Sequence, residues 1–329
     1  MPLRVFRSLD EAGALRGCAL ALGNFDGVHA GHRRLLETAR ALASSHRSAA
    51  AAMTFEPHPA RVLRPALAPP LLTPLPRKLE LLEAAGLDAV VVQPFDLAWA
   101  ATSAAEFVRR DLCGRIGAAD VVVGWDFTAG HERARAGALR ELLLACGVGL
   151  SVVEPVTVDG LTASSTKVRE FLLEGNVEAA AMLLGRPHDV DGEVERGAGR
   201  GRAMGFATAN VRAEGLLPAP GVYAVRVRRG VRVGPSGVAD ARDAARLDGV
   251  CNVGVKPTVE EGAPLGLEAH LLGHDGSDLY GERLRVELVG RIRAERRFPS
   301  LDALRRQIAL DVERAREILR NRPVAPGPM

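Results

Sequence analysis

The chain has 329 residues, of which 47% are hydrophobic and 25% are charged, and its formal net charge is +3. This length predicts two domains of a globular protein. The charge is too small to indicate nucleic-acid binding, and neither a signal-peptide pattern nor an apolar run of membrane-spanning length is found, so we expect no nucleic-acid or membrane partner.

The four cysteines lie far apart, at positions 18, 113, 146 and 251. Because they form no Cys-x-x-Cys pair, they indicate neither a disulfide framework nor a structural zinc site. This pattern is typical of a reducing compartment, and we expect a cytoplasmic protein. The sequence does not determine the oligomeric state, for which a monomer or a weak homo-oligomer is our expectation.

The first chemical signal is the stretch from Gly23 to His32, which reads Gly-Asn-Phe-Asp-Gly-Val-His-Ala-Gly-His. It follows an apolar strand predicted over 17–22 and begins a helix predicted over 30–45. Such a turn directs backbone N–H groups and the positive end of a helix dipole at one point, which suits a phosphate. His29 and His32 are three residues apart, so both imidazoles can face that point and donate hydrogen bonds. The alternative is turn glycines with solvated surface histidines.

Apolar strands then alternate with amphipathic helices, which predicts a mostly parallel sheet with helices on both faces. The strands are predicted over 49–55, 89–92, 120–124 and 149–154, and the helices from residue 75, from a capping box at Ser103 and Glu106, and over 138–146. A rigid corner, Glu56-Pro57-His58-Pro59, follows the first of these strands, at the end where α/β sheets place ligands. Asp126 follows the strand over 120–124, where it would by itself be explained as a turn residue.

A second anion-holding element is predicted from 163 to 169, where hydroxyls, backbone N–H groups and two cations meet at the start of a helix. By itself, an N-cap with solvated cations would explain the same residues. A short helix over 176–184 follows, and Pro187 with the loss of helical period predicts a linker, so we divide the chain after Arg186.

The second half is predicted to be a small antiparallel β-barrel covered by a C-terminal helix. Glycines and arginines crowd into 192–205, a segment that could wrap phosphates or form a flexible basic loop. Apolar and polar residues then alternate over 223–228, 267–271 and 284–288, as in half-buried strands. Ser300 caps the predicted helix. The predicted domains are 1–186 and 187–320, and the proline-rich tail 321–329 is expected to be disordered.

The stretch from Gly23 to His32 resembles the nucleotide-binding signature of the HxGH nucleotidyltransferases, and its full wording resembles the bifunctional riboflavin kinase/FAD synthetase family. Further resemblances follow in the family's order at 54–59, 163–169, 183–187, 221–223, 252–258, 268–271 and 279–281. The resemblance implies an α/β protein with a Rossmann-like adenylyltransferase domain and a riboflavin kinase barrel. Its implied substrates are riboflavin, FMN and ATP, with Mg²⁺ as cofactor and FMN and FAD as products.

The resemblance also implies roles for individual residues, which we carry over position by position. In the adenylyltransferase, catalysis falls to His29 and His32, ATP binding to Gly23, Asn24, Phe25, Asp26, Ser164, Ser165, Thr166 and Arg169, and FMN binding to His58, Pro59, Asp126 and Phe127. In the kinase, nucleotide binding falls to Gly199, Gly201, Arg202 and Gly205, metal binding to Thr208 and Asn210, and general base catalysis to Glu268.

The sequence departs from the family pattern at Thr128 and Ala129, where an arginine and an aromatic residue are typical, and at Ala207, where proline is typical. The first departure leaves open a nucleotidyltransferase for another phosphorylated substrate. A flavin-binding regulator with a weakened kinase domain is a further alternative. An aminoacyl-tRNA synthetase relative is disfavoured because no Lys-Met-Ser-Lys-Ser-like stretch is present. An RNA-binding barrel is disfavoured by an aromatic content of 4%.

Overall fold

The computed structural model describes residues 2–196, 208–242, 244–255, 265–274 and 277–322. Its N-terminal half is built on a six-stranded sheet in the order β1-β4-β3-β2-β5-β6, with every neighbouring pair parallel. The strands are β1 Arg4–Phe6, β2 Ala19–Leu22, β3 Ala50–Glu56, β4 Ala89–Pro94, β5 Asp120–Gly124 and β6 Gly149–Val153. Gly17, which the sequence assigned to β2, lies instead in a turn with φ +81°.

The helices of this half connect the strands and cover the sheet. They are α1 Ala30–His46, α2 Pro59–Leu63, α3 Leu75–Ala84, α4 Leu97–Ala100, α5 Ala104–Glu106, α6 Ala136–Leu144, α7 Ser165–Leu173 and α8 Val177–Leu184. Helix α5 continues as a π-helix over Phe107–Ile116, and 3-10 turns occur at Leu9–Leu15 and Pro65–Leu67. The predicted capping box is confirmed, with the Ser103 and Glu106 side chains bonded to each other's backbone N–H. A small hairpin, β7 Thr157–Val158 with β8 Leu161–Thr162, precedes α7.

Both faces of the sheet are covered, as the alternation of strands and helices predicts. Ala19 and Ala21 of β2 pack with helices α1 and α3, whereas Leu20 and Leu22 pack with the π-helix and α6. Because successive side chains of a strand point to opposite faces, the apolar run of β2 supplies both cores at once. The carboxyl ends of the strands therefore remain as the edge at which a ligand can bind.

The C-terminal half is a closed antiparallel barrel in the order β10-β15-β14-β11-β16-β9. Its strands are β9 His188–Glu195, β10 Ala209–Glu214, β11 Gly221–Arg229, β14 Arg246–Val255, β15 Leu265–Leu271 and β16 Arg283–Arg293, with a side hairpin of β12 Arg232–Val233 and β13 Ala239–Asp240. Tyr223, Val225 and Val227 fill its interior with Leu267 and Leu284, as the alternation predicts.

A half-buried strand leaves its polar face to solvent, but Arg226 and Arg285 on that face of the barrel are only 6% and 2% exposed. Alternation locates the outer surface of a barrel but does not say what packs against that surface. Arg226 is covered by the C-terminal helix and donates to the carbonyl oxygens of Leu319 and Arg322. Arg285 is covered by α3 of the first half and pairs with Glu80.

The prediction of a linker after Pro187 is also wrong, because β9 begins directly at His188. His188 and Asp189 are buried and pair with Leu288 and Glu287 of β16. Helices α7 and α8 belong to the same apolar cluster as the barrel interior. The two halves are therefore joined through packed residues on both sides of Arg186.

The C-terminal helix, α9 Leu301–Asn321, covers one side of the barrel as predicted. The Ser300 hydroxyl accepts the N–H of Ala303, and Val312, Ala315 and Leu319 pack on the barrel. Residues 323–329 of the predicted tail lie outside the described residues. In the part of the chain that the structure describes, no helix is both long and apolar enough to cross a membrane.

Candidate active sites

A cleft of about 780 Å³ opens at the carboxyl edge of the parallel sheet. It is lined by residues that follow β2, β3 and β5 and by the start of α7. The predicted adenylyltransferase residues that it brings together are Gly23, Asn24, Asp26, His29, His32, His58, Pro59, Asp126, Phe127, Ser164, Ser165, Thr166 and Arg169. Segments up to about 140 residues apart in the chain thus meet at one place, where the sequence predicts a nucleotide.

Phe25 is the exception among these predicted residues, because its ring is fully buried and lies behind the cleft. Its edge packs on His32 with 5.3 Å between ring centroids, and a Cβ on Gly23 would lie 3.2 Å from the ring. Phe25 and Val28 adopt φ of +49° and +41°, the left-handed region that β-branched residues in particular avoid. This strained turn is typical of a functional site.

His29 is the N-cap of α1, and its Nδ1 accepts the backbone N–H of His32 at 3.4 Å. A neutral imidazole with an accepting Nδ1 carries its proton on Nε2, which leaves one N–H donor. The two histidine rings stack at 3.7 Å between centroids. Gly31 leaves them room, since a Cβ there would lie 3.1 Å from His29 Cε1. The site therefore holds His29 as a single oriented donor.

Both histidines are held neutral at physiological pH. Burial, followed by the nearby Arg33, lowers the pKa of His29 to about 4. Burial and the adjacent His29 lower the pKa of His32 well below its usual value. Burial also lowers the pKa of His58, whose Nδ1 accepts the N–H of Ala60 and caps α2. The free site thus presents N–H dipoles rather than imidazolium charges.

Asp26, predicted to contact ATP, uses its carboxylate within the protein. It accepts the backbone N–H groups of Leu72 and Thr73 at 2.9–3.1 Å and forms a buried ion pair with Arg169. Arg169 also donates to the Pro70 carbonyl at 2.9 Å. Both side chains line the cleft, but in this structure they hold the turn within Gly23–His32, here called the signature turn, against α7.

The start of α7 closes on the signature turn from the other side. The Ser164 hydroxyl accepts the N–H of Lys167 and caps the helix, while the Ser165 hydroxyl donates to the carbonyl of Asp26 at 2.8 Å. The Ala163 carbonyl lies 3.3 Å from where a Cβ of Gly31 would be. The N-termini of α1 and α7 therefore flank the same cleft, as predicted for two elements that hold one triphosphate.

A group of aromatic side chains that sequence reasoning missed also lines the cleft. Phe55, Phe95, Trp99 and Phe107 contact one another with ring centroids 5.2–5.7 Å apart. They come from β3, the segment after β4, α4 and the start of the π-helix. No local pattern signals such a group, because its members are spread over more than 50 residues and meet only when the sheet forms.

Sequence reasoning also missed Lys78, a lysine of α3 that is 2% exposed. Its ammonium lies 3.5 Å from the Thr54 hydroxyl, and Thr54 in turn donates to the carbonyl of Asn24. Burial lowers the pKa of Lys78. Helical periodicity gives no signal for it, since lysine normally faces solvent.

Two of the predicted kinase residues, Asn210 and Glu268, lie on the outer face of the barrel. Asn210, Glu268 and Asn252 are directly opposite one another across β10, β15 and β14. Because cross-strand partners share a face, these three side chains form a polar row, and Glu268 is its exposed member. Thr208 immediately precedes β10. The row also includes Asn252, whose amide donates to Glu295 at 3.0 Å. The predicted nucleotide-binding residues Gly199, Gly201, Arg202 and Gly205 lie outside the described residues.

Comparisons with known proteins cover both halves of the chain. Residues 11–167 match a family model described as FAD synthetase, and residues 184–319 match one described as riboflavin kinase. A protein of Escherichia coli (strain K12) named bifunctional riboflavin kinase/FMN adenylyltransferase is 38% identical over 317 residues, which is 96% of each chain. A protein of the same name from Bacillus subtilis (strain 168) is 35% identical over 303 residues, 90% of each chain.

A solved structure has the same fold over nearly the whole chain. It is the crystal structure of a protein named as a macrolide-efflux protein from Streptococcus pneumoniae. The two superpose with a TM-score of 0.82 at 27% identity, and the match covers 96% of this chain and 99% of the other. The arrangement of a parallel sheet beside a closed barrel is therefore shared with an experimentally determined protein.

Proposed function

The chain belongs to the family of bifunctional riboflavin kinase/FMN adenylyltransferases, and from this premise we propose which residues carry its two reactions. It is an enzyme that phosphorylates riboflavin with ATP to give FMN and adenylates FMN with a second ATP to give FAD. The FAD synthetase part is N-terminal and the riboflavin kinase part is C-terminal.

In the proposed adenylyl transfer, an oxygen of the FMN phosphate attacks the α-phosphorus of ATP and pyrophosphate leaves. His29 donates its Nε2–H to a phosphate oxygen and stabilises the charge that develops on the triphosphate. His32 acts beside it, and no covalent intermediate is needed. The observation that carries this assignment is that the two histidines and the N-termini of α1 and α7 converge on one cleft.

The remaining cleft residues position the two substrates. We assign ATP to residues of the turn before α1 and of the start of α7, namely Gly23, Asn24, Ser164, Ser165 and Thr166, all of which line the cleft. Asp26 and Arg169 act through the turn that they hold together. His58, Pro59, Asp126 and Phe127 are assigned to FMN because they follow neighbouring strands β3 and β5 at the same edge.

In the proposed kinase reaction, Glu268 accepts the proton of the terminal ribityl hydroxyl, whose oxygen attacks the γ-phosphorus of ATP while ADP leaves. The exposure of Glu268 supports this role, since a general base must reach its substrate. Its neighbours Asn210 and Asn252 offer amides on both sides, which suits positioning of a hydroxyl and a phosphate.

Thr208 and Asn210 also fit a Mg²⁺ ion that would bind together with ATP. They offer hydroxyl and amide oxygens, which are hard donors of the kind that Mg²⁺ prefers, and the described residues contain no group of three acidic, histidine or cysteine side chains that would hold a metal alone. Such an ion would neutralise charge on the transferred phosphoryl group.

We further propose residues 1–186 as the adenylyltransferase unit and 187–320 as the kinase unit. The protein is proposed to act in the cytoplasm, where its thiols stay reduced, which is consistent with the free state of Cys18, Cys113, Cys146 and Cys251. A monomer or weak homo-oligomer is proposed, since each half contributes its own set of site residues.

The division of labour is tested by two variants of the full chain, incubated with riboflavin, ATP and Mg²⁺ and analysed by chromatography of the flavins. We expect His29→Ala to reduce FAD formation by about 100-fold or more and to leave FMN formation intact. Glu268→Gln should reduce FMN formation and leave adenylation of added FMN intact. His46→Ala, at the other end of α1, is the matched control.

Loss of both activities in either folded variant would contradict the assignment. Wild-type protein that binds riboflavin but forms neither product would instead support a flavin-binding regulator.

A further inference from the structure

Lys78 of helix α3 places an ammonium group inside the N-terminal half of the molecule. Its side chain is 2% exposed, and within the described part of the chain its ammonium makes one hydrogen bond, of 3.5 Å, to the Thr54 hydroxyl. An ammonium carries three N–H donors, so two of them have no acceptor among the described residues. Burial of a charge with so few partners costs stability. Burial accordingly lowers the pKa of Lys78.

The ammonium lies behind the wall of the adenylyltransferase cleft. The Thr54 hydroxyl that accepts from Lys78 donates in turn to the carbonyl of Asn24 at 3.1 Å. Asn24 lines the cleft, whereas Thr54 and Lys78 do not. A chain of two hydrogen bonds therefore connects the buried charge to a residue that we assign to ATP.

The charged and titratable groups around the ammonium come from several elements. Asp26 of the signature turn and Glu56 at the end of β3 attract it, and it lowers the pKa values of His32 and His58. Asp26 is already paired with Arg169, and Glu56 is partly exposed, so neither is a counter-ion dedicated to Lys78. The free protein thus holds an uncompensated cation behind neutral histidines.

A fixed charge in this position acts across protein rather than across water. Because the effective dielectric constant of the interior is low, its attraction for an anion in the cleft is stronger than that of a solvated lysine. Its orientation is set before the ligand arrives. The stability that the free protein loses by burying the charge is recovered when a polyanion binds.

We propose that Lys78 is a positioning residue for ATP in adenylyl transfer, which attracts the triphosphate through the wall of the cleft and holds Asn24 through Thr54. The inference rests on the proposed adenylyl transfer in this cleft. It predicts that removal of the charge weakens the use of ATP and strengthens the fold. A purely structural lysine would have the opposite effect on the fold.

The first test measures FAD formation by the purified full chain with FMN, ATP and Mg²⁺. Lys78→Met keeps the length of the side chain without its charge, and we expect it to raise the KM for ATP by about tenfold. The midpoint of its urea unfolding should lie above that of the wild type. Riboflavin phosphorylation should stay unchanged. The matched control is Arg140→Met, an exposed arginine of α6 that does not line the cleft, and it should change the KM for ATP by less than about twofold.

Competitive inhibition of FAD formation against ATP separates charge from shape. Inorganic triphosphate carries the negative charge of ATP without the nucleoside, and adenosine is the uncharged remainder. In Lys78→Met the Ki of triphosphate should rise by about tenfold and that of adenosine by less than about twofold. Lys78→Gln can still donate to Thr54 but is uncharged, so it should show the same selective increase.

Equal increases of the two Ki values would overturn the proposal, because they would indicate a general distortion of the cleft. An unchanged KM for ATP in either variant, or a lower urea midpoint of Lys78→Met, would also overturn it. Failure of the wild type to make FAD would contradict the proposed adenylyl transfer itself, whereas these results in variants of an active wild type contradict this inference alone.

Discussion

At the scale of single residues, His29 performs two tasks with one ring. Its Nδ1 caps α1, and its Nε2 is left for a ligand. Burial also lowers the pKa of this ring to about 4, so folding of the free enzyme does not bury a charged imidazole at neutral pH. A neutral imidazole at the N-terminus of a helix also avoids repulsion by the positive end of the helix dipole.

This pKa predicts a loss of stability in acid. Because the folded pKa of about 4 lies below the unfolded value of 6.5, the unfolded state binds more protons between these pH values. The free energy of unfolding should therefore fall as the pH decreases from 6.5 toward 4, and His29 should contribute about 2 kcal/mol of this loss at pH 5.

Urea unfolding of wild-type protein and His29→Asn at pH 7.5 and pH 5 measures the contribution. Asparagine is uncharged at both pH values and retains N-capping ability. The variant should lose about 2 kcal/mol less than the wild type between the two pH values. An equal loss in both proteins would show that His29 does not titrate in this range.

At the scale of elements, helix α9 is docked by an apolar stripe and by one buried carboxylate. Val312, Ala315 and Leu319 pack on the barrel. Asp311, in the same stripe, is 3% exposed and accepts hydrogen bonds of 2.7–3.1 Å from the guanidinium of Arg293 on β16. A charged residue in an apolar stripe is tolerated here because its partner lies on the surface that the helix covers.

Asp311→Asn should destabilise the protein by about 3 kcal/mol, since it leaves Arg293 without its counter-charge in a largely buried position. Glu313→Gln is the matched control on the same helix, because Glu313 is exposed and pairs with Arg316 one turn away. The control should cost less than about 1 kcal/mol. Chemical denaturation of both variants measures the difference, and similar values for the two would contradict a docking role of Asp311.

At the scale of the whole molecule, the two halves are joined by an ion-pair network as well as by the cluster around α7 and α8. Arg285 of the barrel donates to Asp191 of β9 and to Glu80 of α3 at 2.6–2.9 Å. Arg77 of α3 bonds Asp189 of β9 at 2.7 and 2.8 Å. Although burial alone would raise the pKa of Asp189, the neighbouring Arg77 and Arg285 hold it well below its usual range.

The same junction reaches the adenylyltransferase cleft. Arg186 donates to the carbonyl of Gly27 in the signature turn at 2.9 Å, and Arg33 of α1 donates to the carbonyl of Leu184 at the end of α8. Burial lowers the pKa of Arg186 to about 10 despite the opposing carboxylate of Asp189. The turn that we assign to ATP is thus held by residues next to the start of the barrel.

Arg285→Met should lower the free energy of unfolding by about 3 kcal/mol, because the buried carboxylate of Asp191 loses its arginine and the partly buried Glu80 keeps only Arg77 among its described arginine partners. Arg212→Met provides the control, as Arg212 is an exposed barrel arginine that pairs with Glu193 and Glu195. It should change stability by less than about 1 kcal/mol. Both variants are compared by urea unfolding, and a small effect of Arg285→Met would show that the network does not hold the halves together.

The sequence by itself determined the architecture. Strand–helix alternation predicted a parallel sheet covered on both faces, period-two alternation predicted the antiparallel barrel, and local caps at Ser103 and Ser300 predicted where helices begin. The signature from Gly23 to His32 predicted residues that line the cleft at the sheet edge. These features are local or periodic. They can be predicted from the sequence because they depend on residues that are close together in the chain.

Tertiary structure alone decided the rest. Arg226 and Arg285 alternate like surface residues yet are buried, because what covers a strand's outer face comes from distant segments. Asp26 belongs to the motif and was predicted to contact ATP, but its carboxylate accepts backbone N–H groups of Leu72 and Thr73 and so holds its own turn. Phe55, Trp99 and Arg133 become neighbours of one cleft only when β3, α4 and the segment after β5 reach the same sheet edge. Burial and partnership depend on contacts between elements, and no periodicity along the chain encodes them.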